Sequence, residues 1–215
     1  MKLYNFFRSG TSFRVRIALH LKGLPFDYLP VALPKGEHKQ DAYRAISPDT
    51  LVPVLDVLGD PDQALLSQSM AIIEYLDETH PQPALLPADA AGRARVRAIA
   101  LTLACDIHPL NNLRVLKYLK HDLKVDEEAK NGWYRHWIDV GLGGLEQMLA
   151  GSPQTGRFCH GDTPTLADVY LIPQVESARR FNVDMARWPL ISAIDQACGE
   201  LHAFQQAAPN MQPDA

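Results

Sequence analysis

The sequence lacks the features that would place it outside ordinary globular proteins. Only three of its 215 residues are cysteine, and Cys105, Cys159 and Cys198 are widely spaced, with no Cys-x-x-Cys pair. That pattern excludes a disulfide framework and predicts reduced thiols buried as small hydrophobes in a cytoplasmic protein. Positive charge is not in excess: 21 Lys and Arg stand against 25 Asp and Glu, for a net charge of −4. This argues against a nucleic-acid or anionic-membrane partner. No apolar run approaches the ~18 residues of a membrane span. The stretch Leu3–Phe7 ends at Arg8, too soon for the core of a signal peptide. The eight histidines fall into no ligand spacing with cysteines or carboxylates, so no metal is expected.

What remains is a globular composition, 47% hydrophobic and 21% charged, in a length that suits one large domain or two small ones. The first eighty residues alternate short strand-like and helical patterns. Leu3–Phe7 reads as a buried strand, and Ser12–Leu21 as a helix closed by Gly23. Phe26–Val31 and Val52–Val57 read as a second and third strand. Ala64–Leu66 is a short fourth, joined to the third by the turn cluster Gly59-Asp60-Pro61-Asp62. Met70–Leu76 is a helix that stops before Pro81. The proline-rich stretch Pro81–Pro87 is the expected boundary between domains at 1–81 and 87–215.

Beyond the boundary only helical patterns occur. Arg93–Leu119 carries Val96, Ala100, Leu103 and Ile107 on one face, with a kink expected at Pro109. Lys130–Leu149 offers Trp133, Trp137 and Leu145 as core positions. Thr165-Leu166-Ala167-Asp168 is a capping box, flanked by Pro164 and Val169 as a hydrophobic staple, and it starts a helix reaching Phe181. Trp188-Pro189-Leu190 opens one more helix, and the tail after Pro209 is expected to be loose. The architecture is a small α/β unit followed by an all-α domain.

Three places could carry chemistry. Arg8-Ser9-Gly10-Thr11-Ser12 joins the first strand to the first helix. Such a turn presents free N–H groups and the positive end of the helix dipole, and its hydroxyls could stabilise an anion, in particular a thiolate. It could equally be a well-capped helix. Val52-Pro53 precedes a strand; a cis bond there would turn the Val52 main chain outward to pair with an extended peptide. Gln68-Ser69 opens the third helix, where a carboxylate could sit or the side chains could simply cap. Together they fit one ligand, a short peptide with a thiol and carboxylate ends: glutathione.

These residues carry a family resemblance. Arg8–Leu19, Leu51–Leu55, Gln68–Leu76, Cys105–Asn112, Gly161–Asp168 and Pro173–Phe181 run in the order found in zeta-class glutathione transferases, the group of the maleylacetoacetate and maleylpyruvate isomerases. The resemblance implies a thioredoxin-like N-terminal domain, an all-α C-terminal domain, a cis Val52–Pro53 bond and a homodimer. It also implies a glutathione-dependent cis–trans isomerase acting on a small dicarboxylate by reversible thiolate addition. Arg180 matches the family's substrate-carboxylate arginine, with Arg8 and Arg114 as further grips on one cleft, since the guanidinium fork matches a carboxylate. Arg14, Arg16 and Arg179 are read as solvated surface charges. Ser9 and Thr11 compete for the thiolate hydrogen bond. His108 lines the site near the sulfur, and His38, Val52, Gln68 and Ser69 hold the rest of glutathione.

Three positions depart from the family pattern. Ser9-Gly10-Thr11-Ser12 stands where many maleylacetoacetate isomerases read Ser-Ser-Cys-Ser, and it is closer to the bacterial maleylpyruvate isomerases. Asp49 replaces an expected glutamine. The leading expectation is therefore maleylpyruvate isomerisation. The alternatives are maleylacetoacetate isomerisation, a general glutathione transferase or α-haloacid dehalogenase, and a non-catalytic glutathione-binding protein.

Overall fold

A computed structural model describes residues 1–58 and 65–215; the expected turn at Gly59–Asp62 and Ala64 lie outside the described residues. By packing, the chain forms two compact units, Met1–Ala84 with Gly199–Ala215, and Leu85–Cys198.

The first unit contains β1 (Lys2–Asn5), α1 (Gly10–Leu21), β2 (Asp27–Pro30), α2 (Asp41–Arg44), β3 (Val54–Asp56), β4 (Leu65–Ser67) and α3 (Ser69–Thr79). The strands form one sheet in the order β2-β1-β3-β4. β1 runs parallel to β2, with Leu3 opposite Tyr28, and antiparallel to β3, with Leu3 opposite Leu55. β3 and β4 are antiparallel. Leu3 and Leu55 are fully buried, as a sheet covered by helices requires. The first helix ends as its sequence foretold: Gly23 adopts φ 64°, the left-handed region open to glycine, and its N–H reaches the His20 carbonyl at 3.1 Å.

The second unit contains α4 (Ala90–Leu101), a π-type turn (Thr102–Ile107), α5 (Leu113–His121), α6 (Glu127–Ala150), α7 (Leu166–Arg180) and α8 (Pro189–Gly199), whose last residue is assigned to the first unit. Val96, Ala100, Leu103 and Ile107 are all fully buried, as their spacing predicted. Ile107 packs against α6 at Gly141, where a Cβ would lie 2.2 Å from its side chain. The capping box is in place: the Asp168 carboxylate accepts from the Thr165 N–H at 2.7 Å, the Thr165 hydroxyl at 3.0 Å and the Cys159 N–H at 2.8 Å.

Several expectations are corrected. The last residues leave the helical unit: α9 (His202–Ala207) packs on α1 in the first unit, which moves the boundary expected for 87–215. The tail beyond Pro209 is tied down rather than loose, because Gln212 is 9% exposed and donates to the Gln206 and Ala208 carbonyls, each at 2.8 Å. At Pro109 the helix breaks instead of kinking, and Asn112 caps a new one by accepting from the Arg114 N–H at 3.1 Å. The buried stripe of α6 is Tyr134, Ile138, Leu142, Leu145 and Leu149, while Trp133 and Trp137 flank it, half-buried. Cys105 is exposed, whereas Cys159 and Cys198 are buried, and burial pushes both of those thiols up.

Arg14 and Arg16 are buried rather than solvated, at 2% and 0% exposure. Arg16 is tolerated because it donates to the Ala207 and Phe7 carbonyls at 3.0 Å each and to Asn5 Oδ1 at 2.9 Å. Burial still pulls its pKa down to about 10 against the attraction of Tyr28 and Asp214. Arg179 is exposed and pairs with Asp195.

Candidate functional site

Ser9, Thr11 and Val52 come together at the start of α1. The Ser9 N–H closes a turn onto the Phe6 carbonyl at 3.0 Å. The Ser9 Oγ then caps the helix, accepting from the Ser12 N–H at 3.2 Å. No acidic residue occupies the first turn, so the positive end of the helix dipole is not offset locally. Ser9 Oγ lies 2.8 Å from Thr11 Oγ1, and Thr11 Oγ1 lies 2.9 Å from the Val52 carbonyl oxygen. A carbonyl can only accept, so the Thr11 proton is committed to Val52 and the Ser9 proton points to Thr11. Of the two hydroxyls, Ser9 can swing its proton to a ligand without leaving a carbonyl unpaired.

Val52 is held from several sides. Its bond to Pro53 is cis, as the resemblance implied, and Gln82–Pro83 is cis as well. The preceding Leu51 carbonyl accepts from the Tyr43 hydroxyl at 2.7 Å, with Ser47 Oγ 3.0 Å away. Asp49 Oδ1 accepts from the Ser47 hydroxyl at 2.6 Å and the Leu51 N–H at 3.2 Å. The carboxylate that departs from the family pattern thus braces the loop leading to Val52.

Gln68 is exposed and sits at φ 68°, ψ 118°, and its side chain makes no cap bond to α3. A capping role does not explain it. A left-handed φ is uncommon for a residue with a Cβ, and such strain, of order 1–3 kcal/mol, collects at ligand sites. Ser69 is buried, with Arg14 Nη1 3.5 Å from its hydroxyl. His38 lies half-buried in a 3-10 turn at Glu37–Lys39.

In the second unit, Arg180 ends α7 and is exposed, with Nη2 donating to Ser177 Oγ at 3.2 Å. Burial raises the Tyr134 pKa, and the Arg180 charge, together with Ser177, opposes the rise. The Tyr134 ring stacks on Phe181 at 3.5 Å between centroids and 9° between planes. The same part of α6 fixes the segment after His108: Asn111 Nδ2 donates to the Tyr134 carbonyl at 3.0 Å, and Trp133 Nε1 to the Leu110 carbonyl at 2.9 Å. Half-buried His108 and exposed Arg114 flank that segment. Sequence reasoning missed Tyr134 and Ser177. Tyr134 was findable as a polar-tipped aromatic four residues before Ile138 on the buried stripe; Ser177 lies one helical turn before Arg180, a spacing that puts the two side chains together. Arg8 is the exposed residue of the β1–α1 turn, its guanidinium 5.3 Å from the centroid of the Phe7 ring. It belongs to the first unit, and Arg114 and Arg180 belong to the second.

Known proteins are similar to this chain. The N-terminal domain family of glutathione S-transferases matches residues 8–79. The chain is 58% identical over 215 residues to the maleylpyruvate isomerase of Ralstonia sp, covering 100% of both chains. A solved holo structure of maleyl pyruvate isomerase, a bacterial glutathione transferase of the zeta class, superposes with a TM-score of 0.95 at 58% identity over 100% of each chain. The maleylacetoacetate isomerase of Anaeromyxobacter dehalogenans 2CP-1, solved with glutathione in its active site, superposes with a TM-score of 0.90 at 45% identity, over 100% of this chain and 97% of that one.

Proposed function

The chain belongs to the zeta class of the glutathione transferase family, and from that premise we propose that it is a glutathione-dependent isomerase converting maleylpyruvate to fumarylpyruvate. The observation that carries the reading is the Ser9–Thr11–Val52 relay, which leaves one hydroxyl proton able to turn to a ligand at the positive end of a twelve-residue helix. These residues fit glutathione. A free thiol has a pKa near ~8.5, and one charge-assisted hydrogen bond with a helix end can lower it by about two units, roughly 2.7 kcal/mol. When bound, glutathione supplies a thiolate that adds reversibly to the substrate alkene, making its rigid bond rotatable.

The work of the chain is to hold and to polarise. Ser9 donates a hydrogen bond to the thiolate and keeps its proton. The Val52 main chain pairs with the peptide portion, and Gln68, Ser69 and His38 hold its carboxylate ends. Arg180 grips a substrate carboxylate, oriented by Tyr134 and Ser177, with Arg8 and Arg114 as further grips. Such preorganised donors also stabilise negative charge that develops on the substrate carbonyl. His108 lines the site. The Ser9-Gly10-Thr11-Ser12 sequence favours maleylpyruvate over maleylacetoacetate. A homodimer is proposed on the family resemblance, and the cytoplasm from three unpaired cysteines together with dependence on a reduced thiol.

The test presents maleylpyruvate and maleylacetoacetate to the purified protein, with and without glutathione, and follows the cis-to-trans change. Turnover should require glutathione, leave its concentration constant and be faster on maleylpyruvate. Stoichiometric loss of glutathione would assign a conjugating transferase. Undiminished turnover without glutathione would end the reading. Sedimentation checks the dimer.

A further inference from the structure

The end of the sequence reaches the turn that carries Arg8 and Ser9. Asp214 Oδ2 accepts from the Phe7 N–H at 3.2 Å, and its Oδ1 accepts from the Tyr28 hydroxyl on β2. From the other side, buried Arg16 donates to the Phe7 carbonyl at 3.0 Å. Phe7 is the second residue of the turn closed by Ser9 onto Phe6, so both of its peptide groups are fixed by charged side chains. Packing contributes less to holding this turn: Phe6, Phe7 and Ser9 are half-buried and Arg8 is exposed. Hydrogen bonds to charged groups are stronger than those between neutral groups and select one conformation of a four-residue turn.

We propose that Asp214 is a positioning residue for the thiol site, setting through the Phe7 peptide the direction in which Ser9 presents its hydroxyl and Arg8 its guanidinium. The inference rests on the reading of Ser9 as the donor to the glutathione thiolate. Asp214 itself touches neither ligand; it acts through the turn.

The test compares the unaltered chain with Asp214→Ala, Asp214→Asn and Tyr28→Phe by calorimetry. Two ligands are used, glutathione and the same tripeptide with alanine in place of its cysteine. Amide hydrogen exchange at Phe7 and Ser9 is read alongside. Loss of a charge-assisted bond predicts about tenfold weaker glutathione binding in Asp214→Ala, fewer protons released on binding, and faster exchange at Phe7. Affinity for the alanine tripeptide should barely change. Asp214→Asn, which keeps an acceptor oxygen, should restore most of the loss. Tyr28→Phe, which frees the other carboxylate oxygen, should lose less than Asp214→Ala and serves if that variant does not fold. Equal weakening toward both tripeptides, or none toward either, would overturn the proposal. If the unaltered chain bound the two tripeptides equally, the thiolate reading itself would fall, and this inference with it.

Discussion

Removing the Ser9 hydroxyl takes away both the cap it provides to α1 and its proposed hydrogen bond to the thiolate. Ser9 Oγ caps α1 through the Ser12 N–H and also carries the proton that can turn to a thiolate. In Ser9→Ala both go. The cap is worth about 1 kcal/mol, a fall of about 2–4 °C in Tm for a chain of this size. The lost charge-assisted bond, about 1.5–3 kcal/mol, raises the thiol pKa by about one to two units and lowers kcat/KM about 10- to 150-fold at neutral pH. Ser9→Gly isolates the second effect, because glycine caps within a few tenths of a kcal/mol of serine. It should keep its Tm and still lose activity, with the pH profile moved to the alkaline side. Thr11→Val leaves Ser9 free to donate and should lose less. The assay is isomerisation across pH beside thermal melting. If Ser9→Gly kept the unaltered rate and profile while Thr11→Val lost more, the assignment of the donor would be refuted.

Arg180→Ala should raise the KM for the dicarboxylate steeply and leave glutathione affinity almost unchanged, and Tyr134→Phe should show a weaker form of the same split; equal losses for both ligands in steady-state kinetics would argue against the grip. Asp168→Ala strips acceptors from the N–H groups of Cys159 and Thr165, each costing about 1–3 kcal/mol when buried unpaired, so calorimetric melting should show one of the larger losses of stability in the chain. His20 has its pKa lowered, first by burial and then by Arg16 and His202. The unfolded chain therefore takes the proton first, and stability should fall as pH drops below about 6.5, levelling off below the folded value. In His20→Gln, urea melts across that range should show a shallower acid decline; an unchanged decline would remove His20 as its source.

The sequence by itself determined most of the elements and their order, though not the helix at His202–Ala207 or the break at Pro109. Short apolar runs, the Gly23 stop, the Thr165–Asp168 box and the helical spacing of Val96 through Ile107 are local patterns, and local hydrogen bonding and burial enforce them. The turn chemistry at Ser9–Ser12 was legible for the same reason. Tertiary structure decided what depends on residues far apart in the chain. Arg14 and Arg16 look like surface charges on α1 until distant groups arrive, for Arg16 the Ala207 carbonyl. The proposed choice of Ser9 over Thr11 rests on the Val52 carbonyl, forty-one positions away from Thr11. Asp214 meets Phe7 across 207 positions, so no local pattern could have shown that the apparently loose tail is bonded to the site. A polar group's role is set by whichever partner satisfies it once water is excluded, and folding alone brings that partner into place.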